Sequence, residues 1–577
     1  MKINSSYVAF KIRIPINRWL NNMASTNNAF IFFVPKKFIE DLMLIINRLT
    51  LRILSSLIIF VTFSVMPNAI AAQTTAFRQA VAEAAAHEEK LIEFYRARKF
   101  RGIWTGTTEI YQSRRNALLA ALEGAGDHGL PLSEYDPEIL MARLKAVRTP
   151  AEKGAMEVEM SRLFLSYASD IQTGILIPRN VVPEIRREVQ LRPLLGYLKG
   201  FLNGAPASFL ASLPPSSPEY ARLLREKIFL ERLLAQGGWG KLISSSSLTV
   251  GESGVGVVDL RDRLFAMGYM ERSATQNYDS TIQTAVRRFQ QAHGLSLDGV
   301  AGAVTISELN VSVASRLQQI IVAMERERWI NEPRGERHIW VNLVDFSAKI
   351  IDNGSVTFQT RSVIGATNDD RQTPEFSDVM EFMVINPSWY VPRSIVVSEY
   401  LPSLQIDPNA VNHIEITDPN GLIINRSNVN FNQFNSSTFP YSMRQPPSRG
   451  NALGLVKFIF PNQYNIYLHD TPAKSLFGRE VRAFSHGCVR LNDPFDFAYA
   501  LLAVQETDPE GVFQRFLKTD QEVRVDLIET VPVHLIYRTA FTGTTGQINF
   551  RRDVYDRDSR IWNALANEGV AVRAIGG

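Results

Sequence analysis

The sequence holds one cysteine among 577 residues, Cys488, and that scarcity excludes a disulfide framework within the chain. A single thiol is either buried filler or a group kept for chemistry. Charge of one sign is also missing. Sixty-two basic residues face 58 acidic ones, a formal net charge of +4, and no dense Lys/Arg stripe argues for nucleic acid. The eight histidines include no HExxH pattern and no second cysteine completes a metal set, so neither a metal nor any other cofactor is expected. Ser485 lacks the G-x-S-x-G elbow of a serine hydrolase. A membrane span needs about 20 apolar residues, and the uncharged stretch Ile53–Val65 is short of that.

What is present at that stretch has the layout of an export signal. Arg48 and Arg52 precede it, and Pro67 and the small residues Ala69, Ala71 and Ala72 follow, with cleavage expected near Ala71 or Ala72. Retention as a membrane anchor is the alternative. Met43 stands where such a signal normally begins, so the first 42 residues read as a misplaced start. Export bears on Cys488, because a lone thiol in an oxidising compartment is a liability unless it is used.

The length implies roughly three or four domains, and 45% hydrophobic residues can fill ordinary cores. Residues 1–72 form the extension and signal. Residues 75–245 carry a helical period, as in Met156–Ile171 and Tyr220–Leu234, punctuated by Gly and Pro. This is a packing scaffold without a catalytic cluster. After the linker Ser244–Ser247, residues 248–312 form a three-helix unit with Val257, Leu260 and Leu264 on one face and Ile282, Val286 and Phe289 on the next. Gly268 and Gly294 end these helices, and Asp279 or Ser280 caps the second. Residues 313–336 read as a linker helix. From 337 to 540 the period alternates, with Ile339, Val341 and Leu343 on one side and Asp352-Asn353-Gly354 as a hairpin turn. Strand-like runs at Val379–Ile385, Val456–Phe460 and Tyr464–His469 complete a mainly β domain. Within it, 398–450 is rich in Asn, Ser and Pro, which fits a disordered stretch or a functional lid. Residues 541–577 are a C-terminal segment. The fold class is multidomain α+β.

Cysteine chemistry needs a thiolate, a group to take and return the proton, and donors for an oxyanion. The segment from Tyr464 to Asp493, YNIYLHDTPAKSLFGREVRAFSHGCVRLND, can supply all three. His469 lies 19 residues before Cys488, too far for one helix turn but suited to a strand, a loop and a returning strand. Gly487 lets the backbone close on a carbonyl, and the Cys488 N–H with a second nearby N–H is the expected oxyanion hole. A neighbouring imidazole would lower the thiol pKa from about 8.5 toward neutrality. Asp493 is expected to cap a helix opened by Pro494. His486 rivals His469 as base, but two residues from Cys488 it would need a special bend. Spacing alone leaves a chance pairing of the two groups open.

Resemblance narrows this. SHGCVR, with HDTPAKSLF upstream, closely resembles the catalytic motif of the L,D-transpeptidase (YkuD-type) family. Asn386-Pro387-Ser388-Trp389, Val391-Pro392, Gln445-Pro446-Pro447 and Asn451-Ala452-Leu453-Gly454 resemble its large periplasmic YcbB-like branch. The order VVDLRDRLFAMGY, then TAVRRFQQAHGLSLDGVAGAVT, resembles the peptidoglycan-binding domain of the first type, with a degenerate spacer as the alternative. The resemblance implies a helical scaffold, a peptidoglycan-binding unit, and a mainly β catalytic domain with a capping insertion, working in the periplasm or cell envelope. It implies Cys488 as nucleophile and His469 as general acid/base. Asp470 would lend a backbone carbonyl to orient that ring, where many members carry Gly or Ser. Ser485, His486 and Gly487 would shape the pocket, and Arg490 would meet an anionic part of a peptide stem. Tyr464 and Trp389 would line the acyl-donor groove, or else serve as core aromatics. The implied reaction is a 3→3 cross-link between peptidoglycan stems through a thioester, with release of D-Ala and susceptibility to carbapenems. An L,D-carboxypeptidase or endopeptidase would use the same residues with water as acceptor. A non-catalytic wall-binding scaffold is the reading from another class.

Overall fold

In the computed structural model, which describes residue 73, residues 75–543 and residues 546–576, the helical period before Gly238 becomes a packed set of helices. The stretch Ile53–Val65, Met43 and the expected cleavage site lie outside the described residues. Among those residues no helix is long and apolar enough to cross a membrane. Phe77–Gly577 forms a single unit.

Local sequence explains where the main helices start. Helix α1 (Pro150–Thr173) opens on a capping box, in which the Thr149 side chain and Glu152 satisfy each other's backbone N–H, with Pro at the first turn. Its buried face, including Met156, Phe164 and Ile171, meets an aromatic cluster in which Phe164 and Phe201 lie 4.7 Å apart. Helix α2 (Pro218–Ala235) is capped by Ser217. The three-helix unit follows as α3 (Val255–Ala266), α4 (Ser280–His293) and α5 (Ala303–Leu309). Asp279 accepts from the N–H groups of Thr281 and Ile282, and Gly294 takes the left-handed conformation that ends α4. Gln290 clasps the turn after α4: it donates to Asp298 at 2.7 Å and accepts from Gly299 N–H at 2.9 Å.

The presumed linker is core. Helix α6 (Val313–Trp329) is buried along most of its length, including Arg316, Glu325, Arg326, Glu327 and Arg328. It packs on α2, on α1 and on the C-terminal helix α9 (Arg557–Asn567).

The alternating half forms a closed sheet. Its strands are β1 (Arg337–Asn342), β2 (Ser347–Asp352), β3 (Ser355–Gly365), β4 (Phe376–Ile385), β8 (Val456–Ile459), β9 (Leu468–His469), β10 (Ala483–Ser485), β11 (Val489–Leu491) and β12 (Val523–Ile536). The ring runs β3-β11-β9-β8-β4-β12-β1-β2, and β2 pairs back with β3; β10 joins β3 outside it. Asn353 at φ 50° and Gly354 at φ 80° make the two-residue turn that joins β2 to β3. Helices α7 (Pro494–Leu502) and α8 (Pro509–Leu517) close the barrel core around Phe497, Leu501 and Phe513. Asp493 stands before α7 without capping it, because its carboxylate takes the Thr360 hydroxyl of β3 at 2.8 Å instead.

The polar insertion is folded. Strands β5 (Trp389–Tyr390), β6 (Glu415–Thr417) and β7 (Ser442–Gln445) form a sheet of order β5-β7-β6, with its own core of Leu404, Ile414, Ile416, Phe431 and Met443. This cap begins at Trp389, upstream of the expected boundary at 398, because Trp389, Val391 and Ile395 contribute to that core. Its sparse apolar residues are spread over long loops, which hid any period.

The C-terminal segment returns to the scaffold. Hairpin β13 (Ala540–Thr542) and β14 (Ile548–Phe550) seats Ala540 and Phe550 among Tyr220, Leu317 and Met324. Thr542 N–H donates to Glu219 at 2.7 Å, and Arg573 meets buried Glu231 at 3.0 Å and Asp127 at 2.7 Å.

Candidate active site

Strands β9 and β11 run parallel side by side, with Val489 opposite Leu468 and Arg490 opposite His469. Residues paired in this way share a face, and alternate residues return to it. Cys488, Arg490, Tyr467 and His469 therefore stand together on one face. The Val489 N–H donates to the Tyr467 carbonyl at 3.1 Å, which extends the pairing to the end of β11.

The turn carrying the cysteine is fixed by small groups. Ser485 Oγ donates to the Cys488 carbonyl at 2.5 Å and accepts from Gly487 N–H at 3.1 Å. Gly487 sits at φ 111°, and a Cβ there would meet Ile466 at 3.2 Å, so the position favours glycine. The Gly487 carbonyl accepts from Thr373 Oγ1 at 2.7 Å. His486 projects the other way, to the cap: its Nε2 lies 2.6 Å from Glu399, which also accepts from Arg371 at 2.7 Å.

The thiol of Cys488 is half-buried and lies 3.5 Å from the Asn465 carbonyl. The Tyr467 side chain acts on the thiol electrostatically and is itself influenced by Trp389 of the cap. Burial pushes the thiol up to about 11, against the pull of Tyr467 and Arg490. His469 is buried, and its Nδ1 donates to the Asp470 carbonyl at 2.5 Å. Burial, then the Arg490 charge, hold its imidazole down at about 3, while the Asp470 and Leu453 carbonyls pull upward. The ring makes no hydrogen bond to the sulfur, its diagonal neighbour across the two strands. At neutral pH both groups are therefore uncharged.

Asp470 also acts through its side chain, which accepts from Leu455 N–H at 2.9 Å and pairs with Lys474 at 2.7 Å. A Cβ at residue 454 would lie 2.3 Å from that carboxylate, and Gly454 sits at φ 63°. Arg490 is half-buried, with a buried Nε that has no partner among the described residues.

Tyr464 does not join this group. Asn462 Oδ1 accepts from the N–H of both Tyr464 and Ile466, and Asn465 takes φ 55°, so the chain before β9 coils where an extended run was expected. The Tyr464 ring packs on Phe376 at 5.0 Å and lines a separate cavity of about 460 Å³ with Arg186, Trp329 and His534. The aromatic beside the sulfur is Tyr467. The period-two rule could have found it, since it lies two residues before His469 on the same strand face. Thr373 and Glu399 gave no signal in the sequence, because both reach the site from distant segments.

Residues 336–519 match the model of the L,D-transpeptidase catalytic domain, residues 89–226 the scaffold domain, and residues 253–309 a provisionally described peptidoglycan binding domain. A provisionally named L,D-transpeptidase of Haemophilus influenzae is 30% identical over 245 residues, 42% of this chain and 48% of that protein. The chain thus spans about half the length of the curated relative it matches. Among solved structures, an L,D-transpeptidase of Xylanimonas cellulosilytica (15% identity, 51% of this chain, 100% of that chain) and one of Stackebrandtia nassauensis (14%, 51% and 96%) give TM-scores of 0.16 and 0.20, too low to bear on the fold.

Proposed function

We propose that this chain, which carries an L,D-transpeptidase catalytic domain beside a scaffold domain and a peptidoglycan-binding domain, cross-links peptidoglycan stems in the cell envelope through a thioester on Cys488. The observation that supports this most is the gathering of Cys488, Tyr467, His469 and Arg490 on one sheet face at the foot of a separately packed cap.

In this reading a donor tetrapeptide enters beneath the cap, and a stem carboxylate meets the unpartnered Arg490 guanidinium. The Cys488 sulfur attacks the carbonyl between the diamino acid and the terminal D-Ala. The thiol proton passes to His469, whose Nε2 is the basic nitrogen while Nδ1–H is held by the Asp470 carbonyl. The imidazole must turn toward the sulfur for this step. The Asp470 carbonyl steadies the protonated ring, and the Leu453 carbonyl also favours its charged form. The Cys488 N–H faces the new oxyanion. When the C–N bond breaks, the D-Ala amine takes the proton from His469 and leaves. The side-chain amine of a second stem then attacks the thioester, forming the 3→3 amide and restoring the thiol. A resting thiol at about 11 stays protonated until substrate arrives, which protects a lone cysteine from oxidation. The cap excludes water, which favours the amine acceptor.

Incubation with tetrapeptide muropeptides and mass analysis tests this. Wild-type protein should give 3→3 dimers and free D-Ala, and Cys488→Ala should give neither. Dimers formed by Cys488→Ala at the wild-type rate would sink the proposal, and shortened stems without dimers would move it to hydrolysis.

A further inference from the structure

An oxyanion donor works only if its N–H is held at the right angle, and here one buried hydroxyl governs that angle. Thr373, in the segment between β3 and β4, is fully buried. Its Oγ1 accepts from Gly365 N–H at 2.9 Å and donates to the Gly487 carbonyl at 2.7 Å. In a trans peptide the carbonyl and the following N–H point in opposite directions. Tying the Gly487 carbonyl inward on Thr373 therefore turns the Cys488 N–H outward. Gly487, with no Cβ, would otherwise leave this peptide free to swing.

We infer that Thr373 is a positioning residue for the reaction proposed above, on which this inference rests: its hydroxyl fixes the plane of the Gly487–Cys488 peptide and so aims the Cys488 N–H at the acyl oxygen. Thr373 is itself held from behind by three distant parts of the chain. Tyr555 donates to the Gly365 carbonyl at 2.6 Å, and Arg557 donates to the Thr373 carbonyl at 2.8 Å. Two residues on, the Glu375 carboxylate takes Arg326 of α6 at 2.7 Å and Arg557 at 3.1 Å. The Glu375 backbone bonds Glu184 at 2.9 Å and Arg186 at 2.8 Å in the scaffold. The scaffold, central helix and C-terminal helix thus brace the segment that holds the cysteine turn.

Full-chain Thr373→Val and Thr373→Ser separate positioning from general support. Acylation by a carbapenem, read as mass gain on the intact protein, develops an oxyanion; alkylation of the same sulfur by iodoacetamide does not. Thr373→Val should slow acylation about 10- to 100-fold, short of the ~10²–10³ seen when an oxyanion donor is deleted. It should lower kcat with KM little changed and leave alkylation unaltered. Thr373→Ser, which keeps the hydroxyl, should stay near wild type. Equal slowing of acylation and alkylation, as a loosened or unfolded turn would give, overturns the inference. So does wild-type acylation by Thr373→Val, or a Ser variant as slow as the Val one. Cys488→Ala, run alongside, tells the two failures apart: if it still turns over donor stems, the reading of the whole site falls. If it is inert while Thr373→Val is unimpaired, only the role of Thr373 falls.

Discussion

Two regions of this molecule hold charge inside protein, and they treat it in opposite ways. Along α6 each buried charge meets its opposite. Arg316 pairs with Glu308 at 2.6 Å, Arg328 with Glu325 at 2.8 Å, Arg326 with Glu375 and Asp558, each at 2.7 Å, and Glu327 with Arg538 and Arg334. Around Cys488 a guanidinium is left without a carboxylate, and the thiol and imidazole beside it are neutral. Paired charge inside protein is matched to the fold, because removing one partner strands the other in a poor solvent. Arg490, beside the thiol, has no such carboxylate among the described residues. The difference separates charge that holds the fold together from charge left unpaired beside Cys488.

Three measurements can break or sharpen this contrast. Glu327→Gln strands Arg538 and Arg334, and should lower stability by about 3–5 kcal/mol in chemical denaturation while sparing turnover of the folded fraction. Arg490→Met should do the reverse. Losing a charge-assisted contact worth about 1.5–3 kcal/mol should cut kcat/KM roughly 10- to 100-fold with stability little changed. If Arg490→Met destabilises as much as Glu327→Gln, the contrast is wrong. The smallest effect concerns the resting thiol. With its pKa raised by burial to about 11, the thiolate fraction grows as pH climbs toward that value. Iodoacetamide labelling of Cys488 should therefore rise about tenfold, or ~1.4 kcal/mol, per pH unit from 7 to 9. A rate already level at pH 8 would contradict a neutral resting pair.

Much of the architecture was legible because local chemistry decides it. The stripes of α3 and α4, the Asp279 cap, the Gly294 stop and the Asn353-Gly354 turn all act within a few residues. The role of α6 was not, since its polar run Glu325-Arg326-Glu327-Arg328 reads as a solvated face until Glu375, Asp558 and Arg538 arrive from far along the chain. The cap was obscured for a related reason: its core draws single apolar residues from separate loops. At the site, spacing leaves the pairing of Cys488 with His469 open and the resemblance singles it out, together with Tyr464; the turn made by Asn462 carries the Tyr464 ring to Phe376 instead, and Tyr467 stands on the face of His469. Asp493 shows the same competition, with a helix cap lost to the Thr360 hydroxyl of a neighbouring strand.

The late-made hairpin and tail carry a consequence for biosynthesis. Residues 540–573 leave the ribosome long after the scaffold, yet they supply Thr542 to Glu219, Arg573 to Glu231, and the Ala540 and Phe550 side chains to the seat on α2 and α6. A nascent chain stalled before residue 540 would present that apolar seat open and the Glu231 carboxylate one partner short. Transiently exposed apolar surface of this kind is prone to aggregate, so the scaffold seat is sealed only once these strands have been made and docked.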